Sequence, residues 1–453
     1  ISGDDHPDFH LEDTLTAGAG LSDVEAVRIL ADEGPLDIRN LINLGVPFDL
    51  DKDGELSLTI EGGHKKRRVV HAGGDATGRE TVISLATIAA GYDNINSRGQ
   101  SCLFDVLTGS SGVIGVVIKN SSGDFHLINT NNVIIATGGA GQVYKSTTNP
   151  SVATGDGIAA ATRAGALLSD IEFIQFHPTG LWNPNSEGRE FLISESLRGE
   201  GAKLVNRHGE RFMVKNHTLA ELAPRDIVAR GIFTEMERNN EDFVYLDITS
   251  KDEEYLKERF PTIFNECLKH GINMAHDKIP VHPVQHYLMG GIKTDINGIT
   301  NIPGLYACGE AASTGIHGAN RLAANSLLEC LVFGRRTALS INSNKENIKR
   351  TTCLKALPDI PVRPRVQLDY KKLRSEVQQL MSDYCGVIRK KSGLVKAFIQ
   401  VTAIYKQLGA VFDESNEYLE TLNIATVAKE ILETASLRTE SIGSHYIIKE
   451  EMT

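Results

Sequence analysis

Residues 131–141 read NNVIIATGGAG, and this segment constrains the fold more than any other. The apolar run is too short for a stable helix and rich in β-branched residues. It fits a buried strand that stops at Gly138-Gly139-Ala140-Gly141. A glycine turn between a buried strand and a helix brings backbone N–H groups and a positive helix end close to a phosphate. No strong helix follows this turn directly, so taken alone it also reads as a generic tight turn. Two further segments add weight. Gly155-Asp156-Gly157 opens the helical run IAAATRAGALL, and GLYACGE at 304–310 is a short strand ending at Gly309-Glu310. Glycines at strand ends let a cofactor approach the chain, and a following carboxylate can take a sugar hydroxyl. Gly18-Ala19-Gly20 looks like the start of a dinucleotide fingerprint, but HLEDTLTA before it is polar and mixed rather than a strand, and it is set aside.

Around these turns the chain divides. Residues 21–46 carry apolar residues at helical spacing with Ser22 or Asp23 as cap, and a second helix is expected over 79–91. Alternating runs over 102–137, split by Gly, Ser and Asn, predict an antiparallel set leading into the strand above. Residues 171–287 mix elements with polar loops and read as an insertion. A helix is expected from about Asn325 to Leu339, and three amphipathic stretches follow residue 369. The expected architecture is an α/β, Rossmann-like cofactor-binding domain (1–170 and 288–345) interrupted by an α+β capping domain (171–287). A linker (346–368) and a C-terminal three-helix bundle (369–453) complete it.

A net charge of −11 and a pI near 5.7 argue against nucleic-acid binding. No apolar run approaches the ~18–20 residues that cross a bilayer. The opening Ile-Ser-Gly-Asp-Asp-His has no secretory pattern. Six scattered cysteines without a C-x-x-C pair suggest buried thiols in a reducing cytoplasm and no metal centre.

The insertion holds the densest set of reactive side chains. His177 follows a possible strand, IEFIQF. Ser194, Glu195 and Arg198 follow another, EFLI. Arg225 and Asp226 come after a polar loop, His286 sits in PVQHYLMGG, and Arg321 in HGANRLAANSL. Singly, each reads as a structural ion pair or a satisfied polar group. Jointly, two Arg and two His match a ligand with two carboxylates, because guanidinium binds carboxylate bidentately.

The strings QFHPTG, SESLRGEGA, ELAPRDIVAR, GLYACGEAASTGIHGANRLAANSLLECLVFG and ATGGAGQVY resemble the family of succinate dehydrogenase and fumarate reductase flavoproteins and L-aspartate oxidases, over nearly the whole chain. Within that family, TIEGGHKKRRVVHAGGDATGR at 59–79 resembles the L-aspartate oxidases, which carry a Glu at the EGGH position. The chemistry agrees: aspartate is succinate plus an ammonium, which Glu61 can pair. A solvated loop is the bland alternative for Glu61 and the basic run 64–68.

The resemblance implies an FAD cofactor touched by Thr137, Gly138, Gly139, Asp156, Glu310, Asn325, Ser326 and Leu327. It implies His177, Ser194, His286 and Arg321 on the two carboxylates, Ser194 standing where the family often has Thr. Arg225 would move protons with Glu195 and Arg198 as partners. The implied reaction is oxidation of L-aspartate to iminoaspartate, with electrons passed to oxygen or fumarate, feeding quinolinate synthase in NAD synthesis. A soluble fumarate reductase or succinate dehydrogenase flavoprotein is the alternative within the family, and a non-catalytic scaffold the alternative outside it. The family's opening strand, GxGxxG turn and helix have no counterpart here, about a tenth of the expected length. From that, weak or no FAD binding by these residues alone is expected.

Overall fold

The computed structural model describes residues 3–184, 189–343, 354, 366 and 368–450. The expected linker 346–368 lies outside the described residues except at 354, 366 and 368. Two helices lead, α1 (Pro7–Ala17) and α2 (Val24–Asn43). Asp23, not Ser22, caps α2: its Oδ1 accepts the Ala26 N–H at 3.0 Å. The Gly18–Gly20 turn between them docks on a distant loop. The Gly315 carbonyl accepts the Asp23 N–H at 2.8 Å and the Gly18 carbonyl accepts the Ala319 N–H at 3.0 Å.

A small hairpin, β1 (Leu58–Thr59) with β2 (Val69–Val70), precedes α3 (Thr77–Ala90). Then β3 (Cys102–Gly109), β4 (Gly112–Lys119) and β5 (Phe125–Asn129) form the expected antiparallel set. It leads into β6 (Val133–Ile135), then α4 (Asp156–Arg163) and β7 (Leu168–Ser169). Two expectations need correction here. β6 is only half-buried, with Ile134 42% exposed, because among the described residues it pairs on one side alone. The run IAAATRAGALL is not helical throughout: α4 stops at Arg163, Gly165 takes φ +93°, and Leu168 is already strand.

The next elements are β8 (Ile174–Leu181), α5 (Ser196–Gly199), β9 (Lys203–Val205), α6 (Arg225–Asn239), β10 (Val244–Asp247), α7 (Glu253–Arg259), α8 (Pro261–Lys269) and β11 (Ile279–Leu288). Their strands make an antiparallel sheet in the order β8-β11-β10-β9, with a core of its own around Ile193, Leu204, Leu246, Phe260 and Ile279. His177 lies inside β8 rather than after it, since pairing with β11 extends the strand through Pro178. The segment EFLI is not a strand. It meets β8 through the Gly180–Leu192 bridge, backbone bonds from Leu181 to Phe191 and from Ile193 to Thr179, and the Thr179 hydroxyl on the Ile193 carbonyl.

The chain then returns through β12 (Gly291–Lys293), β13 (Leu305–Ala307), β14 (Ala312–Ser313) and α9 (Asn325–Ser343). β13 pairs with β6 in parallel, from Leu305 opposite Val133 to Ala307 opposite Ile135. β12 joins β14 and β7 in a second small sheet. Last come α10 (Tyr370–Tyr384), β15 (Arg389–Lys390), α11 (Lys391–Gly409), α12 (Asn416–Leu437) and β16 (Ile447–Ile448). The three long helices pack on one another, and α12 packs on α4. Ala159, Ala160 and Ala161 keep α4 thin, so Ile424, Val427 and Ile431 of α12 share one core with Ile158. Each such buried aliphatic side chain stabilises the docking by roughly 1.5–3 kcal/mol. Gly155 is needed at this contact: it holds φ +78°, and a Cβ there would lie 2.9 Å from Val427 Cγ2.

The cysteines are less uniformly buried than expected. Cys267 and Cys385 are buried, Cys102 and Cys308 intermediate, and Cys330 exposed; Cys353 lies outside the described residues. Among the described residues no helix is long and apolar enough to cross a membrane, and no group of His, Cys, Asp and Glu is arranged to hold a metal.

Candidate active site

β8 and β11 set the geometry of the site. Their pairing carries bulges between His282 and Val284 and between Gln285 and Tyr287. A bulge adds an unpaired residue and re-aims the side chains beside it. Here it sets the His286 ring 5.1 Å from His177 and leaves Tyr287 opposite Gln175. His177 is buried, and its Nδ1 accepts the Thr179 N–H at 3.2 Å, while the Thr179 hydroxyl donates to the Ile193 carbonyl at 2.7 Å. With Nδ1 an acceptor, the proton of neutral His177 sits on Nε2, free to donate to a ligand. Burial, and then Arg225 and the other nearby cations, hold His177 well below the usual histidine range. Burial followed by Arg321 does the same for His286, whose Nδ1 lies 2.8 Å from the Thr148 hydroxyl. Both rings are therefore neutral donors or acceptors at neutral pH.

A chain of charged groups runs past these histidines. Arg225 opens α6, and its Nε donates to Glu195 Oε2 at 2.6 Å. Glu195 Oε1 accepts from Arg198 Nη2 at 2.9 Å, and Arg198 Nη1 donates to the Glu221 carbonyl at 2.6 Å. Burial acts to raise the Glu195 carboxyl, but Arg225 and Arg198 outweigh it and hold it below the ordinary range. Gln175 joins the far end: its Oε1 accepts from Arg225 at 2.9 Å and from Arg321 at 3.2 Å. Arg321 is buried, and burial with Arg225 nearby brings its guanidinium down to about 10, still cationic at neutral pH. It lies 4.2 Å over the Tyr287 ring, and the Tyr287 hydroxyl donates to fully buried Glu329 at 2.8 Å.

Glu61 arrives from the loop after β1. Gly62 lets that loop press on α5, since a Cβ there would meet Glu195 Oε1 at 2.2 Å. Ser196 Oγ donates to Glu61 Oε1 at 3.2 Å, and Ser194 Oγ donates to Ser196 Oγ at 3.1 Å. Burial and the neighbouring Glu195 push the Glu61 carboxyl up, against Arg225 and Arg321, which favour its charge. So the structure gathers Glu61, His177, Ser194, Glu195, Arg198, Arg225, His286 and Arg321 from six separated segments. Most of the basic run points elsewhere: Lys66 pairs with Asp4, and Arg68 with Asp5 and Asp13, while His64 stays near enough to act on Glu195. Asp226 faces away, paired with Arg230 at 2.9 Å.

The cofactor candidates lie where β6 and β13 end side by side, the crevice that parallel strands leave outside their carboxyl ends. Gly138 takes φ +74° with nothing within 4 Å of a notional Cβ, so space is open beside it. Gly139 is in contact with Glu310, whose Oε1 accepts the Leu288 N–H at 3.0 Å and whose carboxyl burial pushes up to about 7. Thr137 is exposed, and Leu327, in the first turn of α9, is 44% exposed. Two candidates have their side chains spent inside the protein. Asp156 Oδ1 accepts from Thr154 and Asn423, and Asn325 bonds to Thr14 and His10. An open glycine turn, a half-buried carboxyl beside it and an uncovered helix N-terminus together fit a large cofactor such as FAD.

Two family models match the chain: the FAD binding domain over residues 2–327, and the fumarate reductase flavoprotein C-terminal domain over residues 374–451. The L-aspartate oxidase of Streptomyces coelicolor is 43% identical over 98% of this chain and 79% of its own length. The chain belongs to the L-aspartate oxidase family, within the fumarate reductase flavoproteins. The Arabidopsis thaliana chloroplastic L-aspartate oxidase is 40% identical over 98% of this chain and 73% of its own. In three dimensions an E. coli quinol fumarate reductase superposes with a TM-score of 0.91 at 30% identity, covering 99% of this chain and 82% of that one. That family frame fits a site in which cationic groups and a cofactor crevice adjoin.

Sequence reasoning missed Gln175, Thr179, Ser196, Tyr287 and Glu329. Gln175 and Thr179 carried a signal, since each sits two residues from His177 and so shares its face of a strand. The others depend on register and on the bulge.

Proposed function

We propose that this enzyme uses FAD to oxidise L-aspartate to iminoaspartate, the first step of NAD synthesis through quinolinate. The observation that carries this reading is the hydrogen-bonded run from Ser194 through Ser196 to Glu61, which holds one carboxylate at the edge of an otherwise cationic pocket. Arg321, held by Gln175 and Tyr287, would clamp one acid end of the substrate, and His177 Nε2–H and His286 the other, with Ser194, whose proton goes to Ser196, lining that side. Glu61 would pair the substrate ammonium, and its raised carboxyl is a better proton acceptor than an ordinary one as the C=N bond forms.

FAD, when bound by the backbone of 137–139 and 326–327 with Glu310 on a hydroxyl, supplies the hydride acceptor and passes the electrons to oxygen or fumarate. The protein orients the α-carbon and excludes water. A guanidinium is too weak an acid to lose a proton outright, so Arg225 moves protons only as a relay, with Glu195 and Arg198 behind it. Fumarate, lacking the amine, fits the same clamps, and there the Arg225 relay delivers a proton to carbon.

We place this activity in the cytoplasm, on the cysteine pattern, with the product passing to quinolinate synthase. The FAD-loaded enzyme should reduce oxygen to hydrogen peroxide with L-aspartate and not with succinate. Turnover with succinate or fumarate and none with L-aspartate would instead support a fumarate reductase or succinate dehydrogenase flavoprotein.

A further inference from the structure

We infer that Ser196 is a positioning residue that sets both the direction and the charge of Glu61, and so tunes the preference for an amine-bearing dicarboxylate. This rests on the assignment of Glu61 to the substrate ammonium. Ser196 is the first residue of α5, and two contacts tie it to Ser194. Its backbone N–H donates to Ser194 Oγ at 3.2 Å, and its own Oγ accepts from Ser194 Oγ at 3.1 Å. The single hydroxyl proton is thereby left for Glu61 Oε1 at 3.2 Å.

Among the described residues Ser196 gives the Glu61 carboxylate its one side-chain hydrogen bond. The groups that face it are Glu195 from the start of α5, Arg198 within α5, Arg225 from α6 and Arg321 from the loop before α9. Glu195 repels its charge, while the arginines are engaged elsewhere: Arg198 with Glu195 and Glu221, Arg225 with Glu195 and Gln175, Arg321 with Gln175. A carboxylate pressed against another carboxylate needs a fixed donor to stay both ionised and aimed, and Ser196 is that donor. Through Ser194 the same hydroxyl chain joins the carboxylate-binding side of the pocket to the amine-binding side.

The test uses the FAD-loaded enzyme, with KM for L-aspartate and for fumarate measured from pH 5 to 9 in wild type, Ser196→Ala and Ser196→Thr. Wild type should show an acidic limb in the L-aspartate profile that the fumarate profile lacks. Ser196→Ala should raise KM for L-aspartate by roughly threefold to tenfold, move its acidic limb to higher pH, and leave KM for fumarate and both kcat values within twofold. Ser196→Thr, which keeps the hydroxyl, should restore the limb. A wild type without the limb would overturn the assignment of Glu61 itself. A normal wild-type limb that Ser196→Ala leaves unmoved, or an equal loss toward fumarate, would overturn the role of Ser196 alone.

Discussion

Replacing Glu195 by Gln changes one atom and removes the charge at the centre of the relay. The carboxylate bonds Arg225 at 2.6 Å and Arg198 at 2.9 Å, and all three side chains are buried. Gln keeps the shape but offers one acceptor where there were two, and it leaves two buried guanidiniums without their counter-charge. Removing one partner of a buried ion pair costs about 3–5 kcal/mol, so the midpoint of urea unfolding should fall. The catalytic effect is separate. Loss of a positioned proton relay lowers rate by about 10²–10⁴-fold, which is about 2.7 kcal/mol or more of barrier. Steady-state fumarate reduction, the direction in which the relay delivers its proton, checks the rate, with flavin content read from its absorbance, and urea unfolding checks the stability. The flavin should stay bound, because Glu195 lies at the start of α5 while the glycine crevice is built by β6 and β13. A Gln variant that keeps kcat within threefold of wild type would show that protons do not travel through Glu195.

Tyr287→Leu should raise KM for every dicarboxylate by roughly fivefold to tenfold with little change in kcat, because Arg321 loses its cation–π platform; an unchanged KM would show that Gln175 alone holds Arg321. Burial takes His64 down to about 4 from the usual 6.5, so the folded state refuses a proton that the unfolded state accepts between those values. Its contribution is intact above pH 6.5 and is lost as pH falls toward 4, at up to about 1.4 kcal/mol per pH unit. Unfolding midpoints from pH 7 to 4.5 should fall less steeply in His64→Gln, and identical slopes would remove His64 from the acid sensitivity.

The reactive side chains were legible in the sequence because each sits in a short polar string between apolar runs. Arg225 follows Pro224 at a helix start, and Glu310 follows a strand-end glycine. The way they meet was not legible. Gln175 bridges two arginines only because β8 lies beside β11 in one register, and His286 reaches His177 only through a bulge that alternation does not reveal. For the same reason His177 was expected after a strand rather than within one. The parallel pairing of β6 and β13 spans some 170 residues, and only their matching glycine ends hinted at it. Asp156 and Asn325 show a bond pattern the motif did not reveal: their side chains also bond within the protein, to Asn423 and Thr14.

Exchange of Glu61 for Gln, with kcat/KM compared for L-aspartate oxidation and fumarate reduction in the FAD-loaded enzyme, tests the substrate assignment most directly. The pocket described above predicts a fall of about tenfold to a hundredfold toward L-aspartate, the worth of a charge-assisted hydrogen bond, with fumarate reduction kept or improved. Equal losses toward both compounds, or none toward L-aspartate, would contradict it.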